Sequence, residues 1–369
     1  MIRFFFLLVF STLTFPIFSQ ELQTENIVIV ALDGYRWQEV FKGPDAKILM
    51  NKQFTKDAQA NSFVGKSMEE SRRNLMPFLW NVVAVDGQLY GNRKFGNKVN
   101  CSNLQLISYP GYSEMLTGFA DPRVHSNKKV VNPNATVLEF LNRQKDFKDK
   151  VAAFATWDAF PYILNEERSG IHVNAGNDLA NGQITHHERW LNENQHQVIN
   201  QANGTRFDEY TYSYAKEFVK RRKPKVLFLS FNETDEHGHA GRYDEYLEAA
   251  HKADQLIADL WHYLQTSPDY KNKTTLIITT DHGRGSGKNN WTKHRLFARG
   301  SRQIWFAVIG PDTPALGEVK TRNKFYQKQL AKTISTFAGE QYHSAKEVGD
   351  VMHSMIEKRE ADSYASAVN

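Results

Sequence analysis

The sequence predicts an α/β protein built around a mainly parallel sheet with helices on both faces. Short apolar runs rich in Val and Ile recur along the chain, and each has the length of a buried strand. Longer stretches with helical periodicity separate these runs, an alternation typical of a parallel sheet covered by helices. The chain has 369 residues, 41% of them hydrophobic, which is enough to form a full core.

The predicted strands and helices alternate along the chain, apart from one segment of weak periodicity. The strands are Ile27–Leu32, Val151–Ala155, Val226–Phe231, Thr275–Thr280 and Ile304–Ile309. The helices are Asn74–Val83, Thr136–Asn142, Asp208–Arg221, Tyr243–Leu264 and Asn323–Phe337. Residues 165–207 are rich in Asn, Gln, His and Gly, with weak periodicity, and are predicted to form an insertion or cap. Residues 346–369 are predicted to form an amphipathic helix followed by a polar tail.

The first residues have the pattern of a secretory signal. Arg3 precedes an almost uncharged apolar run, Phe4–Phe18, and Ser19 offers a small residue at the cleavage position. The run falls short of the ~20 residues that a spanning helix needs, which makes a membrane anchor the weaker alternative. We therefore expect cleavage of residues 1–19, no membrane span afterwards, a main domain over residues 20–345, and a periplasmic or secreted protein.

Charge and cysteine content exclude several classes of protein. The formal net charge is +5, without a stripe of Lys and Arg interleaved with aromatics, so we expect no nucleic-acid partner. A mildly basic surface attracts small anionic substrates weakly. The single cysteine, Cys101, allows no intramolecular disulfide. The sequence leaves the oligomeric state open.

Acidic residues and histidines follow three of the predicted strands. Asp33 follows the first strand, Asp235 and His239 follow Val226–Phe231, and Asp281 and His282 adjoin the end of Thr275–Thr280. In open α/β sheets ligands bind beyond the carboxyl ends of the strands, so these side chains should converge. A single Asp after a strand is often only a helix cap. The whole set, however, predicts a site for two divalent metal ions, zinc or, in a carboxylate-rich site, manganese or magnesium.

A nucleophile for such a site is predicted at Ser108. Two ions ~4 Å apart can clamp the attacking and leaving oxygens of a phosphoryl transfer and activate a hydroxyl. Pro110 suits a first helical turn and Gly118 a helix end, which places Ser108 at a helix N-terminus that favours phosphate. Ser108 could instead serve only as a cap. Ser113, one turn into the helix, is a competing nucleophile.

With these residues in place, the chain resembles the alkaline phosphatase superfamily, and most closely its nucleotide pyrophosphatase/phosphodiesterase branch. The similarity runs from about Asn26 to about Phe337. The motifs that carry it are Ala31-Leu32-Asp33-Gly34, Ser108-Tyr109-Pro110, Asp235-x-x-Gly238-His239, Asp281-His282-Gly283 and a single later histidine. The resemblance implies an alkaline-phosphatase-like sandwich with a mainly parallel central sheet.

The resemblance also implies ligands for two zinc ions. One ion would be held by Asp33, Asp281, His282 and the nucleophile Ser108. The other would be held by Asp235, His239 and His294, with His237 and His251 as alternatives for the last ligand. An asparagine about twenty residues after the nucleophile would hold a phosphate oxygen. Asn127 is the first choice and Asn132 its rival, and the backbone N–H of Tyr109 would bind a second oxygen.

The segment after Val151–Ala155 bears on the class of substrate. Some monoesterases of the superfamily carry Lys and Arg there, whereas this chain has Thr156-Trp157-Asp158-Ala159-Phe160-Pro161, which looks more like the aromatic segment of the diesterases. Trp157 and Phe160 would then stack on a leaving group, unless they are core residues. Sulfatases carry an arginine where this chain has Tyr112, so a sulfatase is less favoured.

The function that the resemblance implies is an exported two-metal phosphoric ester hydrolase. A phosphodiesterase acting through a phosphoseryl intermediate on a small phosphate ester, such as a nucleotide, is favoured. A phosphomonoesterase or a phosphotransferase is the main alternative. A metal-binding protein without activity is the alternative from a different class.

Overall fold

The computed structural model describes residues 22–197 and 204–356, so the predicted signal peptide, residues 1–19, lies outside the described residues. The described strands form two sheets. In chain order they are β1 (Asn26–Leu32), β2 (Gln88–Tyr90), β3 (Asn97–Asn100), β4 (Val151–Ala155), β5 (His172–Ala175), β6 (Val226–Phe231), β7 (Thr274–Thr279), β8 (Gln303–Ile304), β9 (Phe306–Ile309), β10 (Gly317–Glu318) and β11 (Asn323–Tyr326).

The larger sheet has eight strands in the order β10-β2-β9-β7-β1-β6-β4-β5. β1 lies at its centre and pairs in parallel with β6 and β7, and β4 continues the parallel run towards β5. Only β9 is antiparallel to its neighbours, β2 and β7. The smaller sheet has the order β11-β3-β8. The predicted fold class, a mainly parallel central sheet flanked by helices, is therefore confirmed.

Helices cover both faces of the larger sheet. In chain order they are α1 (Trp37–Lys42), α2 (Ala46–Leu49), α3 (Met68–Leu75), α4 (Ala84–Asp86), α5 (Ser108–Thr117), α6 (Val137–Asn142), α7 (Phe160–Ile163), α8 (Glu166–Ser169), α9 (His186–Asn194), α10 (Asp208–Arg222), α11 (Glu233–Ala240), α12 (Tyr243–Thr266) and α13 (Leu330–Phe337). None of the helices in residues 22–197 and 204–356 is long and apolar enough to cross a membrane.

The core consists of two apolar layers, one on each face of the sheet. Along β1, Val28, Val30 and Leu32 enter the layer that includes α10 and α12, whereas the alternate side chains enter the layer that includes α5, α6 and α13. Each fully buried Val, Ile or Leu contributes about 1.5–3 kcal/mol. Burial on both faces explains why the central strands are continuous apolar runs.

Three predicted elements differ from the structure. The helix Asn74–Val83 is divided because Pro77 keeps the residue before it out of the helical conformation, so α3 ends at Leu75 and Leu79–Val83 forms a separate π-helical turn. The strand Ile304–Ile309 is also divided: Trp305 separates β8 from β9, and the two strands belong to different sheets. The helix Asn323–Phe337 begins only at Leu330, and its first residues form β11.

The segment of weak periodicity and the C-terminal region both contact the rest of the fold in their described parts. Residues 165–207, predicted as an insertion or cap, contribute β5, which completes the edge of the larger sheet beside β4. Within residues 346–356 the predicted amphipathic helix is absent, and the backbone is irregular apart from the 3₁₀ turn His353–Met355. Its N–H groups bond to other elements instead, as Gly349 does to the carbonyl of Gly118 at 2.8 Å. Residues 357–369 lie outside the described part.

Candidate metal centre

The ends of β1, β6 and β7 bring the predicted ligands to one edge of the sheet. Asp33 directly follows β1, α11 starts just after β6, and Asp281 and His282 follow β7 after one intervening residue. Backbone and hydroxyl bonds hold these ends together. The N–H of Gly34 donates to Asp281 Oδ1 at 3.0 Å, and the Thr234 hydroxyl donates to the carbonyl of Asp33 at 2.6 Å. The strand-end positions therefore converge, as the sequence predicts.

Asp33, Asp281 and His282 form a group that we call the buried cluster. Each offers one ligand atom, and these atoms lie within 4.8 Å of one another. His282 Nε2 is 3.5 Å from Asp33 Oδ1 and 3.5 Å from Asp281 Oδ2. Burial, followed by repulsion from the carboxylates of Asp281 and Asp235, raises the pKa of Asp33 well above its ordinary value. Burial likewise raises the pKa of Asp281 to about 7.

The buried cluster has the chemistry of a cation site. Asp281 Oδ2 is fully buried yet accepts no hydrogen bond from the described residues. Such an orphaned oxygen, next to a second buried carboxylate, is costly unless a cation compensates it. His282 Nδ1 lies 2.9 Å from the carbonyl of Gly283, which can only accept, so Nδ1 carries the proton. Nε2 therefore faces the carboxylates as a lone pair, as a metal ligand requires.

Asp235, His239 and His294 form a second group, which we call the open cluster. His239 Nε2 is 3.1 Å from Asp235 Oδ2 and 3.0 Å from His294 Nε2. Two nitrogens bound to one tetrahedral zinc ion are about 3.3 Å apart, close to this spacing. His294 Nδ1 bonds to the carbonyl of Leu106 at 2.9 Å, which again leaves Nε2 as the ligand atom. The His239 side chain is 51% exposed, so this cluster faces solvent.

The electrostatics of the open cluster differ from those of the buried one. Burial alone would raise the pKa of Asp235, but the Arg284 guanidinium, together with His239 and His282, holds that pKa well below the ordinary value. Burial lowers the pKa of His294 to about 3 and that of His282 to about 4, so both rings are neutral at pH 7. His282 lies between the clusters, with Nε2 4.0 Å from Asp235 Oδ1. Both donor sets suit zinc or manganese.

Ser108 is the first residue of α5 and lies beside the buried cluster. Its Oγ is 3.4 Å from Asp33 Oδ1 and 3.4 Å from His282 Nε2. The helix can approach this closely because Gly111 faces the end of β7, where an added Cβ would lie 2.5 Å from the carbonyl oxygen of Asp281. The site therefore combines acidic and imidazole ligands, a hydroxyl, and a helix N-terminus that attracts anions.

The structure separates the alternatives that the sequence left open. Ser113 and Asn132 bond to each other at 3.2 Å inside the core, away from the clusters. His237 pairs with Glu245 at 3.0 Å, and the Nδ1 of His251 bonds to the carbonyl of Leu75 at 2.8 Å. None of these four belongs to the ligand groups, whereas Ser108 and His294 lie among them.

The predicted substrate-binding residues have different environments. Asn127 is exposed, and its Oδ1 accepts the N–H of Tyr109 at 3.0 Å, which leaves the amide NH₂ to donate. Trp157 is half-buried, and its backbone forms a bridge with Thr205. Phe160 is fully buried and packs against Tyr112 and Phe228. The prediction that Phe160 contacts substrate is corrected, because the ring is part of the core.

Two residues of the site were not predicted from the sequence. The hydroxyl of Tyr112 donates to Asp33 Oδ2 at 3.1 Å and so fixes that carboxylate. Arg284 is buried and contacts Asp235 Oδ1. The sequence offered one signal for each: Tyr112 lies one helical turn after Ser108, and Arg284 follows the Asp281-His282-Gly283 motif directly.

Comparison with known proteins identifies the family. A family model described as type I phosphodiesterase / nucleotide pyrophosphatase matches residues 51–340, which is more than half of the chain. The chain belongs to this family. The matched range contains Ser108, Asp235, His239, Asp281, His282 and His294, while Asp33 precedes it. No curated protein matches the sequence.

Solved structures with the same fold come from the alkaline phosphatase superfamily. The alkaline phosphatase PafA has a TM-score of 0.57 at 9% identity, over 92% of this chain and 99% of that one. The phosphonate monoester hydrolase of Agrobacterium radiobacter has a TM-score of 0.55 at 13% identity, over 92% and 78% of the two chains. The lipoteichoic acid synthase LtaP from Listeria monocytogenes has a TM-score of 0.55 at 15% identity, over 87% and 73%. Identities this low show the fold alone.

Family and fold together place the protein among the hydrolases of the alkaline phosphatase superfamily. Members of this superfamily use divalent metal ions and act on small phosphate esters. Among the described residues, two groups are candidate sites for such ions. One is the buried cluster, and the other joins Asp235 and His294 of the open cluster with His282. His239 adds a further nitrogen to this second group through its contacts with Asp235 and His294.

Proposed function

We propose that the protein is a metal-dependent phosphodiesterase in which Ser108 is the nucleophile. The observation that carries the proposal is the position of Ser108 Oγ, at 3.4 Å from both Asp33 Oδ1 and His282 Nε2 and at the N-terminus of α5. A hydroxyl among buried ligands and beside helix N–H groups suits attack on a phosphorus atom held there. Zinc is the proposed metal, and manganese is compatible with the same donors.

The residues of the chain have separable tasks in this reaction. The buried cluster, with Ser108, would hold one ion, and the open cluster would hold the other. When bound, the ions lower the pKa of the Ser108 hydroxyl and neutralise the phosphate oxygens. Asn127 donates its amide NH₂ to a phosphate oxygen beside the N-terminus of α5, where it is oriented by its bond to Tyr109.

The proposed reaction has two steps, in which the phosphoryl group passes first to Ser108 and then to water. The bond from Ser108 Oγ to phosphorus forms while the bond to the leaving oxygen breaks, and the first alcohol departs with one proton. Water then cleaves the phosphoseryl bond, which restores the serine hydroxyl and releases the phosphate monoester. If a second alcohol took the place of water, the same intermediate would give a phosphotransferase.

The charge of the surroundings favours a diester over a monoester. A monoester is dianionic at neutral pH and needs more positive charge than a monoanionic diester. After β4, residues 156–164 contain no Lys or Arg. The nearby Lys129 pairs with Asp158 at 2.6 Å, and Arg284 pairs with Asp235. Half-buried Trp157 is the remaining candidate for stacking on an aromatic leaving group such as a nucleotide base.

Export is part of the proposal and rests on residues 1–19 alone. Sequencing the N-terminus of the protein recovered from the periplasm or the medium should find Gln20 as the first residue. Recovery of Met1 on a membrane-bound protein would refute the signal.

Replacement of the nucleophile tests the mechanism. Ser108→Ala should lower kcat/KM by at least about 10³-fold, because no other hydroxyl can form the intermediate. Metal content should stay near two ions per chain, since the carboxylates and imidazoles remain. Ser113→Ala is the matched control, and its turnover should stay near wild type. Undiminished hydrolysis by Ser108→Ala would refute the assignment.

A comparison of substrates tests the class of ester. Bis-p-nitrophenyl phosphate and p-nitrophenyl phosphate carry the same leaving group and differ in the charge on phosphorus. We expect kcat/KM to favour the diester by at least about tenfold, equivalent to about 1.4 kcal/mol in the transition state. A preference for the monoester would make the enzyme a phosphomonoesterase and leave the role of Ser108 intact.

A further inference from the structure

Arg284 occupies an unusual position for an arginine, because it is 1% exposed and lies behind the open cluster. A buried guanidinium is costly unless its N–H groups are paired. The nearest carboxylate is that of Asp235, whose Oδ1 contacts Arg284 Nη1. The arginine therefore belongs to the environment of a predicted metal ligand.

The other N–H groups of Arg284 bind the backbone of a loop that carries a second ligand. Its Nε donates to the carbonyl of Trp291 at 3.0 Å, and its Nη2 donates to the carbonyl of Thr292 at 2.6 Å. The chain reaches His294 two residues later. One planar group thus connects Asp235 on α11 with the loop that carries His294, two elements distant in sequence.

Two glycines make room for the guanidinium. A Cβ at Gly238 would lie 2.7 Å from Arg284 Cζ, and a Cβ at Gly34 would lie 3.1 Å from Arg284 Nη1. The arginine therefore packs directly against the backbone of α11 and of the loop after β1. Because backbone contacts on several sides fix the conformation of Arg284, the arginine also restricts the movement of Asp235 and of the loop that it binds.

The bond to Arg284 also divides the tasks of the two oxygens of Asp235. Oδ1 is held by the arginine, while Oδ2 faces His239 at 3.1 Å. The single carboxylate of the open cluster is thus paired with a guanidinium. The buried cluster, by contrast, contains two carboxylates. An ion in the open cluster would therefore keep more of its positive charge for an anionic substrate.

We infer that Arg284 is a positioning residue for the metal ion of the open cluster: it fixes Asp235 as a ligand through Oδ2 alone and holds the loop that places His294. It acts through these two ligands and does not touch the ion. The inference rests on the proposed function only in taking the open cluster to bind a metal ion.

The experiment compares Arg284→Met and Arg284→Lys with wild type. Zinc-loaded protein is dialysed against a graded series of a competing chelator, and the zinc retained per chain is measured by mass spectrometry. Removal of the arginine has two opposed effects. Loss of a positive charge would tighten binding by attraction, whereas loss of the fixed geometry would weaken it. The planar guanidinium makes three directed contacts at once, to Asp235 and to the carbonyls of Trp291 and Thr292. We therefore expect the loss of fixed geometry to outweigh the loss of positive charge.

The expected result is a selective loss of one ion. In Arg284→Met, one of two zinc ions should dissociate at a free zinc concentration about 10–100-fold higher than in wild type, the usual cost of losing a group that orients a ligand. Arg284→Lys should behave like Arg284→Met, because an ammonium keeps the charge but lacks the fork. Arg299→Met removes an exposed arginine of the same loop and should retain zinc as wild type does.

A spectroscopic readout separates positioning from a general loss of stability. In the cobalt-substituted protein, the visible bands should change in Arg284→Met and Arg284→Lys if the ligands of the open cluster move. Wild-type bands with wild-type zinc retention in both variants would overturn the inference. If Arg284→Lys kept both the wild-type bands and the wild-type zinc retention, the positive charge of Arg284, and not its positioning of the ligands, would be what matters. If wild type itself retains fewer than two ions, the metal assignment fails before the role of Arg284 is reached.

Discussion

The buried cluster and the open cluster have similar ligand chemistry but opposite settings. Asp33, Asp281 and His282 follow two adjacent strands at the centre of the sheet and are at most 1% exposed. Asp235, His239 and His294 come from a helix and a loop, and His239 is half exposed. The first group is fixed by the sheet itself, whereas the second depends on side-chain contacts such as that of Arg284.

We expect this difference to separate the retention of a metal ion, at the buried cluster, from access for a substrate, at the open cluster. Two buried carboxylates with raised pKa values are unfavourable neighbours without a cation, so the buried cluster should bind its ion more tightly. The open cluster has a single carboxylate, which is already paired with arginine. It should bind its ion more weakly and exchange it with solvent. Substitutions in the two clusters should therefore differ in the size of their effect and in whether added zinc reverses it.

Asp281→Asn should produce the largest loss. It removes a carboxylate of the buried cluster, so one ion should be lost and kcat/KM should fall by at least about 10³-fold. The metal-free variant should nevertheless unfold at a temperature no lower than that of the metal-free wild type, because carboxylate repulsion is relieved. Hydrolysis assays measure the fall in kcat/KM, and calorimetry with and without chelator compares the unfolding temperatures of the metal-loaded and metal-free forms. Destabilisation of the metal-free variant would show that Asp281 has a structural role instead.

His239→Ala should have a smaller effect that zinc can reverse. The open cluster retains Asp235 and His294, so we expect a fall of about 10–100-fold in kcat/KM at micromolar zinc. Activity should recover in part when zinc is raised, since the weakened site is open to solvent. His237→Ala, on the opposite side of the same helix, is the control. Failure of added zinc to restore any activity would contradict the contrast between the clusters.

Gly34→Ala should affect both clusters modestly. Gly34 has a φ of 61°, which disfavours alanine, and an added Cβ would clash with Asp235 Oδ1. The backbone N–H of Gly34 also donates to Asp281, so a shift of the backbone at position 34 would disturb both clusters. We expect about a tenfold fall in kcat/KM, with a larger change in zinc retention at the open cluster. Equal loss from both clusters in the chelator series would weaken the distinction between them.

Asp254 provides the smallest effect and a reference for a buried carboxyl without a metal site. Its oxygens accept the N–H groups of Phe78 and Leu79, and burial raises the pKa of Asp254 to about 7. Because the folded state binds this proton more tightly than the unfolded state, stability should fall as pH rises from about 4 through 7. Asp254→Asn should flatten this slope in urea unfolding, with turnover unchanged. If the variant kept the wild-type dependence of stability on pH, that dependence would arise from other titratable groups.

The sequence predicted the sheet and the strand-end residues well because both depend on local patterns. A buried strand is a continuous apolar run, and a ligand placed at its end is adjacent in the sequence. Asp33, Asp281 and His282 were predicted for this reason, and the structure brings them together. The apolar pattern failed at Trp305, because no local feature marks the transfer of the chain from one sheet to the other.

Contacts between distant segments were less predictable. Arg284 and Asp235 are 49 positions apart, so their pairing has no local signature. Phe160 was misassigned because an aromatic residue after a strand can line a pocket or enter the core, and only packing against Phe228 decides between them. Conversely, His294 was predicted only from its order in the chain, and the loop that Arg284 holds explains its position.

The close approach of α5 to the strand end at Gly111 has a consequence for changing the substrate range of this enzyme. The reach of Ser108 is set by backbone lying against backbone, and any side chain at position 111 would push the helix outward. Libraries aimed at new esters should therefore keep Gly111 fixed and vary exposed positions such as Asn127 or half-buried ones such as Trp157. In such libraries the proposed nucleophile would keep one position, while the shape of the entrance would be free to diversify.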